Sequence, residues 1–163
     1  MASGKTRVGR EFARFLGWPF YDTDDLIEEK AGVTISEIFA DQGETAFRTI
    51  ETRVIKAIAD KKNCVVALGG GAVLCDENWT FLNSGITICL AAPVQVLADR
   101  IARNHNRPLM AGLDKSERLE KIRRMLNERQ PYYDHAQFCF KSSDHRSIND
   151  FVYHIYSTLL DSL

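Results

Sequence analysis

Ser3, Gly4, Lys5 and Thr6 close a pattern, G-x-x-x-x-G-K-[ST], in which a glycine-rich backbone wraps nucleotide phosphates in N–H groups. In that pattern the lysine reaches the β and γ phosphates and the next hydroxyl holds Mg2+. The helix that follows points its positive end at the anion. Lys5 and Thr6 occupy those two positions, although a glycine-lysine-threonine triplet also fits a polar helix start. The pattern's first glycine would lie two positions before Met1, and the strand leading into the loop would lie before that.

Other residues have the types that phosphate and carboxylate chemistry requires. Asp22 and Asp24 flank Thr23, and two carboxylates at that spacing beside a phosphate loop could serve a metal shell and an attacking hydroxyl. They equally suit the start of a helix, where acidic side chains complement the dipole. Arg48 lies three residues before Glu51 on a helical pattern, as a surface ion pair of little worth or as a clamp for an anionic group; periodicity does not choose. Gly69, Gly70 and Gly71 follow an apolar run. One glycine suffices for a turn, so three favour a backbone that approaches a ligand closely. Arg107 sits in an unpatterned stretch between two helices, where a phosphotransferase would carry a lid that excludes water and adds charge, or where an ordinary connection would run. Arg129 closes a helical pattern, and the dipole alone would place a cation there.

The elements that must position these groups alternate between short strands and helices. Val8, Phe12, Ala13 and Leu16 form one apolar stripe that Gly17 ends. A strand at Trp18–Tyr21 delivers Asp22 to Asp24 at its carboxyl end. After a second helix ending at Gly32, Ser36 reads as an N-cap, and a long helix runs from Glu44 to about Asp60 with Phe47, Ile50, Val54 and Ile58 on one face. Cys64–Leu68 and Ile86–Leu90 are continuous apolar runs of strand length, as expected when helices cover both faces. Between them lies a short helix near Glu77–Leu82, and Pro93 opens the next helix, which carries Arg100. A helix over Lys115–Arg129, a strand at Phe138–Phe140 and a final helix capped by Ser147, with Phe151, Val152, Ile155 and Leu159 inward, complete the chain. The pattern predicts a three-layer α/β fold with a parallel sheet.

The 163 residues, 45% of them apolar, suffice for one domain spanning 1–163. A net charge of −1 and a pI near 6.4 leave no basic footprint for nucleic acid. Cys64, Cys75, Cys89 and Cys139 have no metal-ligand spacing, and three of them fall in apolar runs, where buried thiols are inert. His105, His135, His145 and His154 are scattered. These features, with no apolar stretch of membrane length, point to a reducing cytoplasm and to no membrane partner.

Together the stretches resemble the shikimate kinase family over essentially the whole chain. Gly4-Lys5-Thr6 through Val8-Gly9-Arg10, Asp22-Thr23-Asp24, Ile35 to Phe39, and Gly43-Glu44 through Phe47, Arg48 and Glu51 follow its N-terminal half in order and spacing. Gly69-Gly70-Gly71, Arg107-Pro108-Leu109, and Arg129 with Pro131 and Tyr133 follow its second half. The resemblance implies a P-loop kinase fold and transfer of the γ-phosphoryl of ATP to the 3-hydroxyl of shikimate, on the route to chorismate and the aromatic amino acids. By the same resemblance Ser3, Gly4, Lys5 and Thr6 bind phosphates, Thr6 holds Mg2+, and Asp22 supports the metal. Asp24 binds substrate hydroxyls and is the candidate base, while Arg48 and Arg129 grip the carboxylate beside the Gly69-Gly70-Gly71 backbone. Arg100 stacks on adenine, and Arg107 closes from a lid at about 104–116. The expected partners are ATP and shikimate, for a protein acting as a monomer.

The family's sheet has the order 2-3-1-4-5, and its first strand has no counterpart here. The expectation is therefore that the natural product starts upstream, and that strands three and four lack their shared neighbour. Two rival readings remain at this level: a P-loop kinase for another small alcohol, and a truncated, non-catalytic binding module.

Overall fold

A computed structural model describes residues 2–102, 113–142 and 147–162. Four strands alternate with seven helices among these residues. In chain order they are α1 (Lys5–Leu16), β1 (Phe20–Asp22), α2 (Thr23–Ala31), α3 (Ile35–Ala59), β2 (Val65–Ala67), α4 (Asp76–Leu82), β3 (Ile88–Ala91), α5 (Val94–Ala102), α6 (Lys115–Tyr133), β4 (Phe138–Lys141) and α7 (Ile148–Leu160). A short 3-10 turn, Ala72–Leu74, follows the three glycines.

The strands form two separate parallel pairs, β1 with β2 and β3 with β4. These are the neighbours that the order 2-3-1-4-5 leaves when its first strand is taken away; β2 and β3 make no ladder with each other. Helices hold the two pairs in one body. Val8 and Phe12 of α1 pack with Phe151, Val152, Ile155 and Leu159 of α7, and the cluster reaches Val65 of β2 as well as Ile88, Leu90 and Phe140 of β3 and β4. A second core joins α5 to α6 through Leu97, Ile101 and Ile122, and a third joins α2 to α3 through Ile27, Ile38, Phe47 and Val54.

Helix boundaries differ from the sequence pattern where local hydrogen bonds decide. The N-cap of α3 is Thr34 rather than Ser36. Its side chain accepts from the N–H of Glu37, and the Glu37 carboxylate accepts from the N–H of Thr34, a reciprocal box that satisfies two orphan donors. The helix expected from Glu44 is the second part of α3, set off by Gly43 at φ 79° and ψ 177°, a conformation that only glycine adopts readily. Helix α6 continues past Arg129 through Pro131 to Tyr133. Proline withholds one donor there, but the turn is re-bonded by the N–H of Asp134 to the carbonyl of Gln130. Of the expected lid, residues 104–112 with Arg107 lie outside the described residues, while Lys115 and Ser116 belong to α6, capped by Asp114. His105 and His145 also lie outside them. Among the described residues no helix is long and apolar enough to cross a membrane.

Because one core serves both sheets, its loss should be felt globally. Ile155→Ala, at a side chain only 2% exposed, is expected to cost about 2–5 kcal/mol in urea unfolding, in a single transition. A loss below about 1 kcal/mol, or two resolved transitions, would contradict the shared core.

Candidate active site

Helix α1 begins with an arrangement that asks for an anion. Its N-cap is Gly4, at φ 94°, which offers no side-chain oxygen to the first N–H groups. The first turn then carries Lys5 and Arg7 and no acidic residue, opposite to the dipole's own preference. Free N–H groups, a positive helix end and two cations together favour a phosphate over a structural cap. Arg100 of α5 braces the approach to this turn, its Nη1 donating to the carbonyls of Ala2 (3.2 Å) and Ser3 (3.1 Å).

Asp22, at the end of β1, ties the turn to the sheet. One of its carboxylate oxygens accepts from Thr6 Oγ1 at 2.8 Å, and the other caps α2 by accepting from the N–H of Asp24 at 3.1 Å. Asp22 is thus the N-cap of α2 and also the partner of the Thr6 hydroxyl. Asp24 is left in the first turn of α2, facing the cleft. Burial raises its pKa above the ordinary carboxylate value. Lys5 opposes that shift, and the neighbouring charges of Asp22, Asp25 and Glu28 add to it.

The far side of the cleft is built around the glycines. Thr23, fully buried, accepts from the N–H of Gly69 at 2.8 Å, joining α2 to the loop after β2. A methyl group on Gly69 would come within 2.7 Å of an Asp24 carboxylate oxygen and 2.9 Å of Glu51 Oε1, and one on Gly71 within 2.5 Å of the Arg48 guanidinium. A side chain at either position would have to displace these carboxylate or guanidinium ends. Arg129 of α6 donates to the carbonyl of Gly70 at 2.8 Å, which places it, like Arg48, against the triplet.

Arg48 and Glu51 are not a surface pair. Nη1 of Arg48 donates to Glu51 Oε2 at 2.7 Å, and the Glu51 side chain is 1% exposed, while Glu44 meets Arg48 Nη2 at 3.0 Å from the solvent side. Burial raises the Glu51 pKa against the pull of Arg48, with Asp24 adding to the rise. Burial works against the charge on Arg48 too, but its bonds to Glu51 and Glu44 outweigh it and hold the guanidinium firmly protonated. Glu51 Oε1 has no hydrogen-bond partner among the described residues and is buried beside Gly69.

These groups line a single cavity of about 470 Å3, which brings Lys5, Thr6, Asp24, Arg48, Gly69 and Arg129 to one cleft. Ser3, Gly4, Gly70, Gly71 and Arg100 also line it, and Asp22 reaches it through Thr6. Only Arg107 among the candidate residues lies outside the described residues. Sequence reasoning did not single out Thr23 or the cleft-lining Arg7, and it took Glu51 only as the partner of Arg48. The position of Thr23 between two aspartates was the one available signal.

Thr6 and Asp22 are hard oxygen donors 2.8 Å apart, and among the described residues no three His, Cys, Asp or Glu side chains converge as a protein cage. That donor set suits Mg2+, which takes one or two protein oxygens and completes its shell with water and phosphate.

A sequence model of the family described as shikimate kinase matches residues 1–160. The shikimate kinase of Thermodesulfovibrio yellowstonii is 44% identical over 140 residues, 85% of this chain and 79% of the relative. That of Symbiobacterium thermophilum is 43% identical over 162 residues, 98% of this chain and 91% of the relative. The crystal structure of shikimate kinase from Bacteroides thetaiotaomicron superposes with a TM-score of 0.92 at 34% identity, covering 98% of this chain and 93% of that one. Shikimate kinase from Acinetobacter baumannii, solved in complex with shikimate, gives 0.90 at 36% identity, covering 99% and 89%.

The raised pKa of Asp24 carries a stability consequence. A carboxyl whose folded-state pKa lies above its ordinary 3.8 is penalised when it ionises, so the cost is absent below that value and full once pH passes the raised one. Asp24→Asn should therefore melt higher than the parent at neutral pH, with the gap closing as pH falls into the ordinary carboxylate range. A parent that melts higher than the variant at neutral pH would contradict the burial argument.

Proposed function

The chain belongs to the shikimate kinase family, and we propose that its cleft transfers the γ-phosphoryl group of ATP to the 3-hydroxyl of shikimate. The observation that carries the reading is the seating of Arg48 and Arg129 against the glycine triplet, in the same cleft as Lys5 and Asp24. Two planar guanidinium forks suit a carboxylate, which they can pair bidentately, while the backbone between them admits a ring without side-chain obstruction.

Each group then has a task its surroundings support. The uncapped N–H groups of α1 and the Lys5 ammonium hold the ATP phosphates, and Lys5 neutralises charge as it shifts to the leaving oxygen. Arg100, its edge fixed by the carbonyls of Ala2 and Ser3, offers its planar face to adenine. Asp24 orients the 3-hydroxyl and accepts its proton as the oxygen bonds to phosphorus and the bond from the γ-phosphorus to the bridging oxygen of ADP breaks. Its raised pKa makes it a better acceptor than an ordinary aspartate. Thr6, supported by Asp22, would hold Mg2+, which would neutralise phosphate oxygens when bound. Positioning carries most of the work, because phosphoryl transfer through a loose transition state needs alignment and charge more than covalent chemistry. The protein acts as a monomer in the cytoplasm on these two small molecules. Its near-zero net charge supports neither a nucleic-acid nor a membrane-surface partner.

ADP release from Mg-ATP by this chain should depend on shikimate, and Asp24→Asn should lower kcat by about 10²–10⁴-fold. Arg129→Lys replaces a fork by a point charge and should raise KM for shikimate by about tenfold to a hundredfold, leaving KM for ATP unchanged. A change confined to ATP would remove Arg129 from the shikimate site, and release indifferent to shikimate would overturn the proposed substrate.

A further inference from the structure

The cysteines do not sit as buried strand residues. Cys139 is exposed, and Cys64, Cys75 and Cys89 are half-buried. Cys89 of β3 and Cys139 of β4 are register partners in the parallel ladder. Residues paired in register point to the same face of a sheet. Ile88, Leu90, Phe138 and Phe140 face the core shared with α1 and α7, so the two cysteines face the other way, side by side. The Cys139 side chain lies near enough to the Cys89 thiol to raise its pKa.

We infer that Cys89 and Cys139 form a redox-sensitive dithiol, closed to an intramolecular disulfide by peroxide and reopened by a small dithiol. The exposed Cys139 is the entry point. Its sulfur attacks hydrogen peroxide, the O–O bond breaks, and a sulfenic acid and one water result. The Cys89 sulfur then attacks the Cys139 sulfur, the S–O bond breaks, and a second water leaves with the proton of Cys89. Two thiols and one peroxide thus give one disulfide and two waters, each sulfur having lost one electron. Cys89 is the less exposed of the two and is reached second. Burial chiefly, with Cys139 and Asp134 adding to it, pushes its pKa up to about 12, so it waits as a thiol.

The geometry also makes the bond reversible. Neighbouring strands lie about 4.8 Å apart, inside the range that disulfides span between Cα atoms, but register-paired Cβ atoms must approach by about 1 Å to reach the usual disulfide separation. A bridge closed under that strain is readily reduced. Neither cysteine lines the cleft, so this chemistry stands apart from phosphoryl transfer.

The test is thiol counting and peptide mapping on the full chain after one equivalent of hydrogen peroxide. Two of the four thiols should disappear, the Cys89 and Cys139 peptides should be joined and two hydrogens lighter, and dithiothreitol should restore both thiols. Cys89→Ser should instead trap a sulfenic acid at Cys139 that a dimedone probe captures, and Cys139→Ser should abolish the bridge while leaving Cys64 and Cys75 reduced. The proposal is overturned if all four thiols react independently, if Cys139 over-oxidises to sulfinic acid with Cys89 present, or if the bridge forms between other cysteines.

Discussion

The ion pair between Arg48 and Glu51 is the contact on which the cleft depends. A glutamate 1% exposed cannot keep its charge without a partner, and a guanidinium within 2.7 Å of one of its oxygens supplies it. The pair constrains its neighbours in turn. The guanidinium occupies the space a side chain at position 71 would need, and Glu51 Oε1 with Asp24 occupies the space at position 69, so a larger residue there would displace the pair. Arg129 then reaches over from α6 to the Gly70 carbonyl. Helix α3 is thereby coupled to α2, to the end of β2 and to α6 around one small volume. Breaking the pair by removing one partner would leave a buried, unpaired charge, which is far more costly than never having formed it.

The opposite wall works by a different rule. The start of α1 carries Lys5 and Arg7, has no acidic residue in its first turn and no side-chain cap on its N–H groups, against the dipole's preference. Asp22 offsets part of this through Thr6, and its second oxygen fixes the start of α2, on which Asp24 stands. One carboxylate thus ties the start of α1 to the start of α2. An arrangement held this way is ready before a ligand arrives, which is the condition for catalysis by positioning.

Much of this was legible in the sequence because it rests on residue types whose chemistry is local. The lysine and threonine after Gly4, the aspartates at 22 and 24, and the three glycines at 69–71 all lie where strand ends meet helix starts, and apolar runs mark those ends. The stripes of α1 and α7 were readable for the same reason, since burial imposes a period. What was not legible depends on partners distant in sequence. Whether Arg48 and Glu51 lie at the surface follows from what packs over α3, and periodicity cannot report that. Arg129 was expected at a helix end; α6 passes through Pro131 because a proline in a last turn removes only one donor, and the following turn is re-bonded. Ser36 and Thr34 are equally good caps by type, and Thr34 prevails because Glu37 stands three residues after it to close the box. The cysteines of β3 and β4 looked buried because apolar runs imply two covered faces, whereas the face carrying Cys89 and Cys139 is partly open.

We propose that the two arginine forks at the glycine triplet receive a carboxylate on the phosphoryl acceptor. Calorimetric titration of the protein with shikimate and with its methyl ester, which keeps the ring and hydroxyls and removes the charge, tests it most directly. Losing two charge-assisted contacts should weaken the ester by at least about tenfold. Equal affinities for acid and ester would show that Arg48 and Arg129 serve the fold alone, and would contradict the account.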